Sequence, residues 1–63
     1  MSTRLEEATK LLVESKSDAN MALWNYERYL DPDTMEKEMH LEDARRYAFH
    51  SRMKLQIAER FLS

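Results

Sequence analysis

The residues of this chain that could bind a metal ion lie near its middle. Glu36, His40 and Asp43 are spaced i, i+4 and i+7, so they would share one face of a helix. Carboxylate oxygens and an imidazole nitrogen are suitable ligands for a divalent cation. The same spacing is also typical of a solvated acidic helix surface that happens to contain a histidine. We favour that interpretation, and the sequence predicts no metal and no cofactor.

Nucleophilic catalysis has one candidate pair, His50 and Ser51. A serine nucleophile needs a histidine within hydrogen-bonding distance and an acid that orients the histidine. Adjacent residues on a helix point about 100° apart, so these two side chains would not face each other. The chain also contains no glycine for a tight turn around a nucleophile or a phosphate. We therefore predict no catalytic residue and interpret the chain as non-enzymatic.

The second half of the chain carries an excess of basic residues. From residue 40 onward there are five Lys or Arg and three Asp or Glu, whereas residues 1–39 hold five and nine. Aromatic side chains interleaved with arginines can stack on unpaired bases. The candidate nucleic-acid-binding residues are Arg45, Arg46, Arg52 and Lys54. An alternative is that this basic surface lies along the acidic first half of a second copy of the chain.

Trp24 is the strongest candidate for a protein-binding residue. Met21 lies one helical turn before it and Arg28 one turn after it, and Trp, Met and Arg are enriched at interfaces. Packing of Trp24 inside a dimer is an equally good interpretation. The residues predicted to bind a partner are Met21, Trp24, Arg28, Tyr47, Phe49, Met53, Ile57 and Phe61.

These residues belong to two predicted helices joined by one turn. The chain has no glycine and one proline, Pro32, so natural breaks in the helical pattern are few. Thr3 with Glu6 forms a capping box that begins a helix over about residues 3–30. The turn falls at about 30–33. Asp31 before Pro32, or Asp33 with Glu36, would cap a second helix over about 33–62.

Apolar and small residues recur at alternating steps of three and four in both helices, which predicts two helices packed at a shallow angle. An antiparallel pairing centred between Asp31 and Pro32 places Leu5 opposite Ala58 and Ser15 opposite Ala48. The predicted seam comprises Leu5, Ala8, Leu12, Ser15, Ala19, Ala22, Tyr26 and Tyr29 on the first helix, and Leu41, Ala44, Ala48, Ser51, Leu55, Ala58 and Leu62 on the second.

Length and composition indicate how such a hairpin could be stabilised. A chain of 63 residues buries a limited core, and small scaffolds usually need disulfides, a metal or a partner. There is no cysteine, so we predict one all-α domain over residues 1–63 that dimerises into a four-helix bundle. The net charge of −2, the interruption of the N-terminus by Glu6 and Glu7, and the absence of a long apolar stretch predict a cytoplasmic protein without membrane contact.

The architecture resembles that of Rop, the plasmid copy-number regulators, which are similarly short dimers of helical hairpins with small and large core layers. It is also similar in shape to the two-helix co-chaperones of type III secretion. Both resemblances concern the pattern and assign no site residue. The sequence thus predicts a small adaptor or regulator of the inhibitor or co-chaperone type that binds a larger protein. The alternative is a Rop-like RNA-binding hairpin dimer that uses the basic face of helix two.

Overall fold

The computed structural model describes residues 3–63, which form an antiparallel pair of α-helices. Helix α1 spans Arg4–Leu30 and helix α2 spans Lys37–Leu62, and the two pack side by side along their length. The hairpin is a rod of 49 × 14 × 13 Å. The predicted all-α helical hairpin is confirmed. Residues 1 and 2, which fall within the predicted domain 1–63, lie outside the described residues.

Helix α1 begins and ends at the predicted positions. The Thr3 hydroxyl accepts a hydrogen bond from the backbone N–H of Glu6 at 3.1 Å, and Glu6 and Glu7 place negative charge in the first turn. At the other end the N–H of Asp31 donates to the carbonyls of Glu27 and Arg28. Asp31 itself has extended backbone angles, as expected for a residue before proline.

The connection between the helices is longer than predicted, and α2 begins at Lys37 instead of near residues 32–34. Asp31 does not cap α2. Its carboxylate accepts from the N–H of Asp33 at 2.9 Å and its carbonyl accepts from the N–H of Thr34, which closes a turn after Pro32. The predicted cap at Asp33 is therefore also wrong. Glu36 precedes α2 in the left-handed region, with φ of 58°, and caps it with no side-chain hydrogen bond.

Small side chains form the contact between the helices. The buried residues are Ala8, Ser15 and Asn25 on α1 and Ala44, Ser51 and Ala58 on α2. The Ser51 hydroxyl donates to the backbone carbonyl of Ser15 at 2.8 Å, a direct bond between a side chain of one helix and the backbone of the other. Such a bond requires the backbones to approach closely, which only small residues at the contact permit. Within residues 3–63, no large side chain is fully buried.

The register differs from the predicted one because the connection spans six residues. Ser15 lies against Ser51, three residues beyond the Ala48 expected. Asn25 likewise pairs with His40. The longer connection moves every facing residue of α2 toward its C-terminus.

The seam is also rotated on both helices. The predicted seam has two rows of residues on each helix. The central row lies at the contact as predicted; it includes Ala8 and Ser15 on α1 and Ala44, Ser51 and Ala58 on α2. The second predicted row on each helix does not lie at the contact. The residues three positions after each central-row residue face the other helix. The residues four positions after it, which were predicted to form the second row, face away. We call the first set, with Leu11, Asp18, Asn25, His40, Tyr47, Lys54 and Phe61, the closed side; all are buried or half-buried.

The predicted second row lies on the opposite side of the hairpin, which we call the open stripe. Leu5 is 66% exposed and Leu12 is 39% exposed, although both were expected in the seam. Polar pairs on the closed side account for the rotation: Lys54 with Asp18 at 2.8 Å, and His40 with Asn25 at 2.9 Å. The open stripe consists of Leu5, Leu12, Ala19, Tyr26, Leu41, Ala48, Leu55 and Leu62, all exposed except the half-buried Leu41.

Candidate protein-interaction surfaces

Trp24 lies on the surface near the loop end of the hairpin and is held in place by its neighbours. The Arg28 Cζ atom is 4.7 Å from the centroid of the Trp24 ring, a cation–π contact one turn along α1. The His40 ring meets the Trp24 ring edge-on from α2, with centroids 5.8 Å apart. Trp24 nevertheless remains 46% exposed. The indole is thus fixed on two sides while much of its surface is open to a partner.

A half-buried pair of hydrogen bonds supports this arrangement from beneath. The side-chain amide of Asn25 donates to the Met21 carbonyl at 2.9 Å, which leaves its oxygen to accept from His40 Nδ1 at 2.9 Å. His40 is therefore oriented with its Nδ1 toward the seam and its ring against Trp24. We call Met21, Trp24, Asn25, Arg28 and His40 the Trp24 cluster. Sequence reasoning identified Met21, Trp24 and Arg28 as a group, but it missed the part played by Asn25 and His40.

The remaining predicted partner-binding residues lie along α2 and do not form a single surface. Met53, Ile57 and Phe61 follow one another at steps of four, which aligns them as a ridge toward the closed side. Met53 and Ile57 are exposed, whereas Phe61 is half-buried, as is Tyr47. Phe49 stands apart from this ridge.

Phe49 is packed by two neighbours of its own helix. The Arg52 guanidinium lies 5.5 Å from the Phe49 ring centroid, and the His50 ring meets it edge-on at 6.1 Å. Half of the Phe49 surface remains exposed. These contacts involve no residue of the Trp24 cluster, so Phe49 forms a second, separate aromatic site on the hairpin.

The four basic residues considered for nucleic-acid binding are divided among several surfaces. Lys54 lies on the closed side, where it pairs with Asp18 at 2.8 Å. Arg46 pairs with Asp43, within α2, at 3.2 Å. Arg45 and Arg52 are seven residues apart and share a face beside the open stripe. The continuous basic face that the RNA interpretation requires is therefore absent from the described hairpin.

The pairing of Lys54 also alters its acid–base behaviour. The hydrogen bond that Lys54 donates to Asp18 raises the pKa of the Lys54 ammonium above 10.5. Burial, the next largest effect, opposes this rise, and the negative charges of Asp18 and Glu14 add to it. The charged form of Lys54 is consequently favoured in the folded hairpin.

The residues considered for metal and nucleophile chemistry are not brought together. Glu36 precedes α2, His40 is bonded to Asn25, and Asp43 is paired with Arg46. Within residues 3–63, no three His, Asp or Glu side chains are grouped so as to hold a metal ion.

Ser51, the serine considered as a nucleophile, serves the packing of the two helices. It is buried, and its hydroxyl donates to the Ser15 carbonyl. His50 is exposed and packs against Phe49 instead of Ser51. The arrangement of the two side chains therefore provides no histidine to accept the proton of Ser51.

Comparisons with known proteins identify no relative of this chain. No family model, no curated protein and no solved structure matches it. Neither helix of the described segment, residues 3–63, has the length and apolar character required to cross a membrane.

Proposed function

We propose that this hairpin is a small non-enzymatic adaptor or regulator, of the inhibitor or co-chaperone type, that binds a larger protein through the Trp24 cluster. The observation that carries the proposal is that Trp24 is exposed while its ring packs against both Arg28 and His40. A tryptophan held by a cation–π contact and an edge-on ring loses little freedom when a partner covers it, so more of the contact energy appears as affinity.

Arg28 indicates the chemistry of the partner. Its guanidinium lies over Trp24 and makes no ion pair or hydrogen bond within residues 3–63. An apolar side chain that covers the indole would bring its neighbours close to this free set of donors. A carboxylate is the natural acceptor, because it can receive two parallel hydrogen bonds from a guanidinium. The partner segment is thus an apolar anchor beside an Asp or Glu.

The exposed residues along α2 extend this surface. Met53 and Ile57 lie on the ridge toward the closed side and are each more than one-third exposed. A partner that also contacted this ridge would span both helices. Its specificity would come from charges around the apolar contacts, including the Lys54–Asp18 pair.

The test compares capture by the unaltered chain, by Trp24→Ala and by Leu23→Ala. Leu23 is the control because it is adjacent, is 57% exposed and lies outside the Trp24 cluster. Each tagged full-length chain is immobilised and exposed to extract from the native cell, and any retained protein is then titrated in purified form. We expect Trp24→Ala to lose at least ~1 kcal/mol of binding free energy, as at a hot spot, and Leu23→Ala to lose much less.

A partner that binds all three chains equally would remove the Trp24 cluster from the interface. Retention of RNA, with affinity that falls steeply as salt is added, would instead favour the nucleic-acid interpretation. That outcome would require Arg45 and Arg52 to bind without the paired Lys54. Substituting both arginines by glutamine would then abolish retention.

A further inference from the structure

This rod-shaped hairpin exposes more surface than a compact protein of its size. The accessible surface is 5118 Å² for a chain of 7.6 kDa. A folded monomer of this mass is expected to expose roughly 4300 Å². The surplus of roughly 800 Å² is about the area that each partner buries in a standard protein interface. The radius of gyration of 14.5 Å likewise exceeds the ~10.6 Å of a globular chain of this length.

The open stripe consists of four layers, each made by one residue from each helix. In order from the open end of the hairpin they are Leu5 with Leu62, Leu12 with Leu55, Ala19 with Ala48, and Tyr26 with Leu41. Successive layers are seven residues apart, which is about 10.5 Å along the helix axis. The order of side-chain size is therefore large, large, small, large.

The two inner layers of this order are complementary in only one of the two simple twofold arrangements, whereas the outer layers bring large residues together in both. With the loops of two hairpins at the same end, each layer meets its own copy, so Ala19 and Ala48 meet alanines while Leu12 and Leu55 meet leucines. With the loops at opposite ends, the second layer meets the third, and every leucine there faces an alanine. Alternating large and small residues fill the space between helices without voids or overlap.

We propose that the open stripe is the contact face of a symmetric dimer, with two copies of this chain packed face to face and their loops at opposite ends. The twofold axis passes between the Leu12–Leu55 layer and the Ala19–Ala48 layer. Helix α1 then packs antiparallel on the partner's α1, and α2 on the partner's α2. The four-helix bundle predicted from sequence is retained, but the residues expected inside the hairpin form its contact between copies.

Charges beside the open stripe act both for and against this arrangement. Arg45 and Glu59 flank the stripe on α2, fourteen residues apart and on opposite sides of the axis. The symmetry brings Arg45 near the partner's Glu59, and does so twice. Lys16 on α1 and Arg52 on α2 lie beside the axis, each close to its own copy in the partner, and these two like-charge pairs oppose association. Residues of the Trp24 cluster point to the other side of the hairpin, so the dimer leaves that cluster accessible, and the inference does not depend on the proposed function.

A residue exchange tests both the face and its symmetry. The variants are Leu12→Ala, Ala19→Leu and the double variant that carries both changes. Both positions are exposed in the hairpin and lie outside the buried central rows of its internal contact. The first change opens a gap opposite the partner's Ala19, and the second overfills the space opposite the partner's Leu12. The double variant restores one large and one small residue at each contact.

Sedimentation equilibrium of the full chain is expected to show a dimer for the unaltered protein. Each single variant should raise the dimer dissociation constant at least about tenfold, and the double variant should return it to within about threefold of the original. Val13→Ala, at an exposed position outside the stripe, serves as the control. A monomer at all concentrations overturns the proposal, as does a dimer that the single variants leave unchanged. A double variant no better than the singles overturns the opposite-end arrangement.

Cross-linking distinguishes the two orientations independently, and the absence of cysteine in the chain makes it direct. Lys16→Cys should be joined to its own copy by a short bismaleimide, because the two positions lie beside the axis. Thr9→Cys lies on the same face of α1 but about 20 Å along the axis from its copy, so it should not be joined. Efficient joining of Thr9→Cys, or none of Lys16→Cys, would contradict the proposed symmetry.

Discussion

Replacing Ala58 by leucine should destabilise the hairpin, because it places a large side chain where the two helices are closest. Ala58 is 0% exposed, and Ala8, the nearest buried residue of α1 at that end, is 1% exposed. A leucine adds three heavy atoms to a contact that has no space for them, so the helices must separate or the side chain must adopt a strained rotamer. Such overpacking typically costs ~1–3 kcal/mol.

The effect is large compared with the total stability. A chain of this length is expected to have a free energy of unfolding of ~3–9 kcal/mol, so the substitution removes a substantial part of it. For domains of this size, each kcal/mol lowers the melting temperature by ~4–8 °C. Thermal unfolding followed by far-ultraviolet circular dichroism, at one protein concentration for all variants, therefore should show a fall of at least about 4 °C.

Gln56→Leu is the matched control for this experiment. It introduces the same residue two positions earlier in α2, at an exposed site on the outside of the hairpin. The control should melt within about 2–4 °C of the unaltered chain, since surface substitutions usually change stability by less than ~0.5 kcal/mol. If Ala58→Leu melted at or above the temperature of the unaltered chain, the close contact between small residues would not be what joins the helices.

Two further predictions concern the closed side and the connection. Because the pKa of Lys54 is raised in the folded state, its pairing with Asp18 stabilises the hairpin fully below pH 10.5 and is lost as the pH rises through the folded pKa. Chemical denaturation should therefore show a steeper fall in stability above pH 10.5 for the unaltered chain than for Lys54→Met, and parallel curves would contradict this pairing. Glu36→Asn should raise the free energy of unfolding by about 0.5–1 kcal/mol, because asparagine tolerates the left-handed conformation better than glutamate does. Glu36→Ala, which gains no such tolerance, should leave it nearly unchanged, and an equal rise in both variants would point to a cause other than the backbone conformation.

The amino-acid sequence by itself determined the two helices and the residues at the centre of their contact. The capping residue Thr3, the good helix formers that follow it and the break at Pro32 are local signals, and each acts within a few residues of its own position. The central rows of small residues were also predictable, because a seven-residue repeat of Ala and Ser is visible in both helices. The partner-binding interpretation of Trp24 depends on exposure that the tertiary structure places there, and it stays a prediction.

Only the tertiary structure determined which second row of residues on each helix completes the contact beside the central row. The rows three and four positions after each central residue are almost equally placed to complete the seam, and hydrophobic periodicity favoured the row with Leu5 and Leu12. The structure chose the other row, because Asn25 with His40 and Asp18 with Lys54 form hydrogen bonds across the helices.

The register between the two helices could not be predicted from local sequence signals either. It depends on the length of the connection, which is set by the turn that the Asp31 carboxylate and carbonyl close around Pro32 and by the left-handed backbone of Glu36. A contact between distant residues has an energy that neither residue's own neighbourhood reveals. For that reason the helices could be read from the chain, whereas the side left open for a second copy became visible only when the two helices were packed together.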